Sequence, residues 1–362
     1  MKGPQLEIRV LVLVLTAVTA MFALTTLVAH WYSGEQQDRA RNAFLRGEEL
    51  AQTKRHEQAV ESFRNALAVS RSSTEYRMAL ARSLMELGQN SEAALHLQEV
   101  LRGDPAAALP NLLLARIAAR EGRTGAAVDY YHRAIFGFWP ADAQARRLAA
   151  RWELVNLLAA AKQTKQVIAE LISIADETPS NPEVQSRVAG MLIQYGSPSP
   201  AADILRSVIR AQPLNVEAWT MLGRAEMDLG NYQRARTSFR RALQYDPGYS
   251  PARQELSLVT EALSLDPTLR GLSGAQRLKR SQELASRALA AVDECARDRL
   301  LPPETADLIA QARATLARRQ TDRARGVEIN IALAEALWEQ RGELCGGAGD
   351  EPVGRVLARL SR

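Results

Sequence analysis

The sequence predicts an all-α fold: a solenoid of stacked helix-turn-helix hairpins preceded by one N-terminal transmembrane helix. Three observations carry the prediction. Ala, Leu, Arg and Glu dominate the 362 residues and aromatics make up only 5%, a mixture rich in strong helix formers and poor in the residues that strands favour. A small residue recurs at a spacing of about 34 through residues 40–249, the kind of period that marks a repeat architecture. Twenty uncharged residues, Val10 to Ala29, run together near the N-terminus.

As a helix, that apolar run covers roughly 30 Å, the hydrocarbon thickness of a bilayer. Arg9 stands at one edge, and His30, Trp31 and Tyr32 at the other, where amphipathic rings favour the headgroup layer. A cleaved signal peptide is the competing reading. Its apolar region is usually about 7–15 residues and ends at a small-x-small site, whereas Val18-Thr19-Ala20 lies mid-stretch and Leu27-Val28-Ala29 opens on a large residue. The expectation is an uncleaved anchor over residues 10–32 behind a short tail, 1–9. Lys2 and Arg9 precede the span closely, while Arg39 and Arg41 follow it at a distance. The positive-inside rule then puts the N-terminus in the cytoplasm and the bulk in the periplasm, outside a bacterial inner membrane. An inverted topology, with a cytoplasm-facing receptor that docks soluble proteins, stays open.

The repeat occupies residues 33–249. Ala59, Ala93, Ala127, Val167, Ala201 and Ala235 recur in one frame; four residues later stand Phe63, Leu97, Tyr131, Leu171, Leu205 and Phe239. Twelve residues before each marker lie Gly47, Ala81, Ala115, Val155, Ala189 and Gly223. Two antiparallel helices approach closely only where both backbones carry small side chains, and a large residue one turn on fills the space against the next hairpin. No single hairpin buries its apolar face alone, so neighbours must stack. Gly88, Gly122, Gly196 and Gly230 mark the turn inside a hairpin, and Pro105, Pro179, Pro213 and Pro247 close hairpins.

In the stretch from Val216 to Tyr249, Trp219, Leu222, Gly223, Gly230, Tyr232, Ala235, Phe239, Ala242 and Pro247 stand together. This pattern closely resembles the tetratricopeptide-repeat motif. The resemblance covers residues 40 to 249 and implies a right-handed superhelix of six repeats, about 40–73, 74–107, 108–141, 148–181, 182–215 and 216–249. The fourth repeat departs from the pattern: Val167 and Ile174 replace small residues, so a looser hairpin is expected. Extra residues precede it in FGFWPADAQARR; Phe136, Phe138 and Trp139 either pack into the neighbouring repeat or form an exposed aromatic lip.

After Pro247 a capping helix is expected over 250–266, with Leu256 and Ser257 at the packing positions. Residues 267–362 lose the frame but keep helical patterning. Ser273 caps one helix, Pro302-Pro303-Glu304 starts another, and helices follow through Ile309 to Leu316 and Ile329 to Leu337. A break at Gly346-Gly347 and Gly349 precedes a last helix, Val353 to Leu360. These form either degenerate hairpins or a small bundle on the solenoid's end. Cys295 and Cys345 have no metal-ligand spacing; they read as a possible disulfide or as two unrelated thiols.

The resemblance also implies that first helices line the concave face. One position after the small residue, the column reads Glu48, Arg82, Arg116, Asn156, Gly190 and Arg224; one turn earlier it reads Phe44, Met78, Leu112, Trp152, Ser186 and Thr220. The candidate partner groove is therefore Phe44, Met78, Arg82, Leu112, Arg116, Trp152, Asn156, Thr220 and Arg224. Arginines beside apolar residues suit an extended peptide or a C-terminal carboxylate, or they are simply solvated or salt-bridged to neighbouring acids. The Lys, Asn and Arg pattern of chaperone-tail binders is absent.

The sequence carries no catalytic motif: there is no GxSxG, HExxH, Walker loop or dinucleotide fingerprint, and no metal or cofactor is expected. His30, His56, His96 and His132 are scattered. Although 46 basic residues outnumber 41 acidic ones, both signs spread along the chain, which argues against nucleic acid as partner. The expected function is a membrane-tethered scaffold or assembly factor whose partners are other proteins and, through Val10 to Ala29, the lipid bilayer. An accessory subunit of an enzyme is a further alternative. Partner, pathway and oligomeric state are not encoded in the pattern.

Overall fold

The computed structural model describes residues 4–297, 299–346 and 351–361, with side chains described from Leu15 onward except Ala29 and Ser33. The start of the expected tail and most of the Gly-rich break at 347–350 lie outside the described residues. Seventeen helices and no strand occur among the described residues. Two compact bodies, Met1–Gln163 and Thr164–Arg362, divide the chain in the turn of the fourth predicted hairpin.

In the N-terminal body, α1 (Pro4–Gln52) is one continuous helix, joining the apolar stretch to the first repeat. It is followed by α2 (His56–Val69), α3 (Thr74–Glu86), α4 (Asn90–Gly103), α5 (Ala108–Arg120), α6 (Thr124–Phe136) and α7 (Ala143–Ala160). By length and composition α1 is able to cross a membrane, and among the described apolar residues along it Leu15, Phe22 and Leu24 are exposed. The C-terminal body holds α8 (Thr164–Glu177), α9 (Pro182–Gln194), α10 (Pro198–Ala211), α11 (Val216–Asp228), α12 (Tyr232–Tyr245) and α13 (Ser250–Leu265). It ends with α14 (Gly274–Ala296), α15 (Pro303–Ala317), α16 (Arg323–Cys345) and α17 (Pro352–Leu360).

The expected core residues are inside. Ala59, Phe63, Ala93, Leu97, Ala127, Tyr131, Val167, Leu171, Ala201, Leu205, Ala235 and Phe239 are all buried, each large one contributing about 1.5–3 kcal/mol of apolar burial. Glycine is required where an aromatic ring lies against the first helix. A Cβ at Gly47 would fall 2.5 Å from the Phe63 ring, and one at Gly223 would fall 2.3 Å from the Phe239 ring.

Each intra-hairpin turn closes in the same way. Gln89 donates its N–H to the Leu84 carbonyl at 2.9 Å, and the same six-to-one bond recurs from Arg55 to Leu50, Arg123 to Ala118, Gln163 to Leu158, Ser197 to Leu192 and Asn231 to Glu226. This Schellman closure needs a left-handed residue just before the donor. Gly88, Gly122, Gly196 and Gly230 supply it with φ of 71–76°. Lys54 (φ 60°) and Lys162 (φ 57°) take the same place in the first and fourth hairpins.

The region after Pro267 is a bundle on the end of α13. Leu284, Ala288, Val292, Ile309, Leu333, Leu337, Val356 and Leu357 share one core with Ala262 and Leu265. A capping box at Ser273 and Gln276 starts α14. The short, strongly amphipathic α17 folds back on α13, where the Tyr232 hydroxyl donates to the Arg355 carbonyl and Arg359 pairs with the buried Asp266. The Asn330 amide donates to Ser281 Oγ at 3.0 Å inside the bundle. Cys295 and Cys345, at the ends of α14 and α16, stand paired as a disulfide with Cα atoms 6.2 Å apart. Ser257 corrects an expectation: it is exposed, and α13 buries Ala252, Val259, Ala262 and Leu263 instead. In a repeat that position faces its own hairpin's second helix, and α13 has none in register.

Candidate functional site

First helices of successive hairpins lie side by side. α1 adjoins α3 and α3 adjoins α5 in the N-terminal body; α9 adjoins α11 and α11 adjoins α13 in the C-terminal body. Second helices approach one another less closely and are bridged by long side chains, such as Arg64 of α2 with Glu92 of α4 at 2.7 Å. Each body therefore presents an inner face built from first helices, and the candidate residues must be judged by their place on it.

The apolar part of the expected groove is not available. Phe44, Met78 and Leu112 are 6–8% exposed, and Thr220 is 2% exposed with its hydroxyl donating to the Val216 carbonyl. These residues sit where neighbouring helices meet; Phe44, for example, stacks on Tyr76 with ring centroids 4.7 Å apart. They hold the stack together and leave little surface for a partner. Trp152 is half-buried, and Asn156 on α7 is exposed.

The arginine column divides in two. The Arg116 guanidinium makes a forked pair with Glu153 of α7 (Nε to Oε2 2.9 Å, Nη2 to Oε1 2.7 Å), and the Tyr131 hydroxyl donates to the same carboxylate at 3.1 Å. The hydrogen bond to Glu153 raises the Arg116 pKa, while burial and the Glu153 charge push the Tyr131 phenol upward. Arg224 Nε donates to Glu255 Oε1 of α13 at 2.9 Å.

Both glutamates stand three residues before the next position of the same column, so one register rule creates both pairs. At Arg82 the rule points to Leu113, which is buried. Arg82 is accordingly exposed and makes no hydrogen bond or ion pair among the described residues. At Gly190 it points to Met221, whose Sδ would lie 3.6 Å from an added Cβ, an ordinary contact.

Gly190 breaks the column by carrying no side chain where Arg82, Arg116 and Arg224 carry long ones. The result is a hollow of about 570 Å³ between α9 and α11, lined among others by Ser186, Arg187, Gly190, Gln194, Glu217 and Met221. That size is within the range of binding clefts. Its polar rim offers side-chain hydrogen bonds, and the Met221 thioether offers an adaptable apolar contact. Ser186 and Gly190 were visible in the columns; Arg187, Gln194, Glu217 and Met221 were not, because they lie on the flanks of the two helices.

The extra residues before α7 resolve into one buried and two exposed rings. Trp139 is 5% exposed and donates Nε1–H to the Ala134 carbonyl at 2.9 Å, while Phe136 and Phe138 are 75% and 66% exposed. A parallel bridge fixes the segment: the Phe138 N–H donates to the Ala106 carbonyl at 2.8 Å, and the Phe138 carbonyl accepts from the Ala108 N–H at 3.1 Å. Gly137 is required there, since a Cβ would lie 2.6 Å from the Arg133 carbonyl oxygen and 2.7 Å from that of Ala106.

Comparison with known proteins agrees with this architecture. Family models described as tetratricopeptide repeat match residues 216–249 and, in a second form, residues 44–108 and 78–145. No curated protein matches the chain. Among solved structures, it is similar to YrrB, described as a TPR protein with an unusual peptide-binding site (16% identity, 55% of this chain and 100% of that one, TM-score 0.39). It is also similar to PilF of Pseudomonas aeruginosa (18% identity, 61% and 98%, TM-score 0.37) and to PilW, described as a widely conserved type IV pilus biogenesis factor (20% identity, 61% and 98%, TM-score 0.35). Values this low carry no inference about ligand or pathway. The hairpin frame, the repeated turn closure and the matching family models lead to one conclusion: the chain carries tetratricopeptide repeats, matched over residues 44–145 and 216–249.

Proposed function

We propose that the chain is a membrane-tethered, non-enzymatic scaffold or assembly factor that holds a peptide or helix of a partner protein on its first-helix face. First helices supply that face within each body, and residues 267–362 close the end of the C-terminal one. The observation that carries the reading is the open hollow at Gly190 and Met221. Arg82 in the N-terminal body adds an uncommitted guanidinium suited to a carboxylate or a carbonyl-rich strand. Arg116 and Arg224 act as clips between helices, because their carboxylate partners come from the chain itself.

The bulk of the chain is assigned to a bacterial periplasm, with Val10 to Ala29 in the inner membrane. The Cys295–Cys345 pairing supports this, since disulfides persist in oxidising compartments. The inverted topology is separated from it by fusing, after Ser361, a reporter enzyme that folds only where disulfides form. An active reporter in intact cells is the expected result. An inactive reporter, together with an active cytoplasmic one at the same position, would establish the cytoplasm-facing receptor instead.

A further inference from the structure

We infer that the aromatic lip formed by Phe136 and Phe138 enters the headgroup layer of the membrane in which α1 is anchored, giving the solenoid a second point of attachment to the lipid surface. The inference rests on the reading of α1 as a membrane anchor; it holds for either orientation of the chain.

The geometry follows from the continuity of α1. One helix runs from Pro4 to Gln52, so the segment that crosses the bilayer and the first helix of the first repeat share an axis. The hairpins of this body therefore stand along the membrane normal. Their ends alternate because each connection is a tight turn, which forces neighbouring helices to be antiparallel. The turns within hairpins, at 53–55, 87–89 and 121–123, point away from the bilayer. The connections between hairpins, at 70–73, 104–107 and 137–142, point toward it. The lip is the third of these.

Its height above the bilayer can be estimated. Phe138 is hydrogen-bonded to Ala108, the first residue of α5, and the 34-residue frame makes Ala108 equivalent to Ala40 of α1. Ala40 lies eight residues beyond Tyr32, or about 12 Å along the helix. The exposed Trp31 and Tyr32 rings mark the edge of the hydrocarbon, and the headgroup layer outside it is roughly 5–7 Å deep. The remaining gap of about 5 Å is closed by the length of a phenylalanine side chain and an ordinary helix tilt of about 20°.

The chemistry fits a lipid surface. Two large rings are exposed on a backbone held by the Ala107–Phe138 bridge and by the glycine it needs. Arg133, Arg146 and Arg147, near the rings in sequence, are exposed, as are Asp104 and Asp142 at the same end. Exposed aromatics flanked by an excess of arginine suit an interface carrying anionic lipid.

The test uses the full chain in nanodiscs of mixed phosphatidylethanolamine and phosphatidylglycerol, with an environment-sensitive fluorescent amino acid at position 24, 138 or 123. Quenching by headgroup- and chain-linked nitroxide lipids is measured for each. The expected result is strong quenching at 24, quenching at 138 several-fold above that at 123, and loss of the quenching at 138 when Phe136 is also changed to Ser. Quenching at 24 with 138 no different from 123 would overturn the inference while leaving the anchor intact, and would assign the lip to a protein partner. Absence of quenching at 24 would refute the anchor, and the inference would fall with it.

Discussion

Replacing Gly223 with Ala should destabilise the chain, although alanine is the better helix former. In an unconstrained helix the change is worth about 1 kcal/mol in favour of alanine. At this position the new methyl would sit 2.3 Å from Phe239 Cε1 and 2.6 Å from Cδ1, where favourable carbon contacts need about 3.5–4.0 Å. Phe239 is fully buried, so its ring has no free space to swing into and the helices must separate. Overpacking of this kind costs about 1–3 kcal/mol; with the displacement exceeding 1 Å, the upper half of that range applies. Subtracting the propensity gain leaves a net loss of about 1–2 kcal/mol. For a body of this size that is a fall in melting temperature of about 2–8 °C.

The assay is circular dichroism melting of the full chain in detergent, completed as a double-mutant cycle with Phe239→Leu. The leucine alone costs on the order of 1 kcal/mol in lost burial. Adding Gly223→Ala to it should then cost almost nothing or stabilise, a coupling of about 1–2 kcal/mol. If Gly223→Ala raised the melting temperature equally in both backgrounds, the close-approach argument would be refuted for Gly47 and Phe63 as well.

Three further outcomes follow from the same structure. Lys54→Gly and Lys162→Gly should each stabilise by about 0.5–1 kcal/mol, because both lysines occupy left-handed turn positions that glycine adopts without strain; a drop in melting temperature for both would contradict the turn assignment. Cys295→Ser, or reduction of the native pair, should cost up to roughly 4 kcal/mol, the chain-entropy value for a closed loop of this length. Mass spectrometry that found both thiols free in protein isolated without reductant would remove the basis for that loss. Burial lowers the His96 pKa below its ordinary 6.5, against the opposing pull of Glu92. Above pH 6.5 its neutral form is present in both states. As pH falls from 6.5 toward the lowered folded value the unfolded chain takes up the proton first, so stability is lost on acidification. His96→Gln should flatten that part of the melting-temperature profile, and an unchanged slope would show that His96 does not contribute.

The sequence revealed the features that repeat, because a hairpin stack imposes the same steric demand every 34 residues. Ala59, Phe63 and their counterparts could be placed in the core, and Gly88 to Gly230 in left-handed turns, on period alone. The same logic extends to Lys54 and Lys162, which stand in register with those glycines even though neither residue type announces the conformation. The binding face was less legible. Phe44, Met78, Leu112 and Thr220 share a helix face with the arginine column, but adjoining first helices bury them, and a one-dimensional pattern does not show how closely helices approach. Salt bridges for Arg116 and Arg224 were one of the open readings, but the partners Glu153 and Glu255 were not identified because their register crosses hairpins. Gly190 was visible, but its importance emerges only when the missing side chain leaves a hollow. Beyond Pro267 the frame is lost, so helices were legible but their packing was not: nothing in a 50-residue spacing told whether Cys295 and Cys345 meet.

The most direct test of the account is site-specific photo-crosslinking of the full chain in intact cells, with the probe at Arg82, at Met221 or at Glu61 on the outer surface of α2. The account predicts a discrete protein adduct from Arg82 and from Met221, each within its own body, and none from Glu61. The same adduct pattern at all three positions, or no adduct at either inner-face position, would contradict the claim that the first-helix face is where this protein holds its partner.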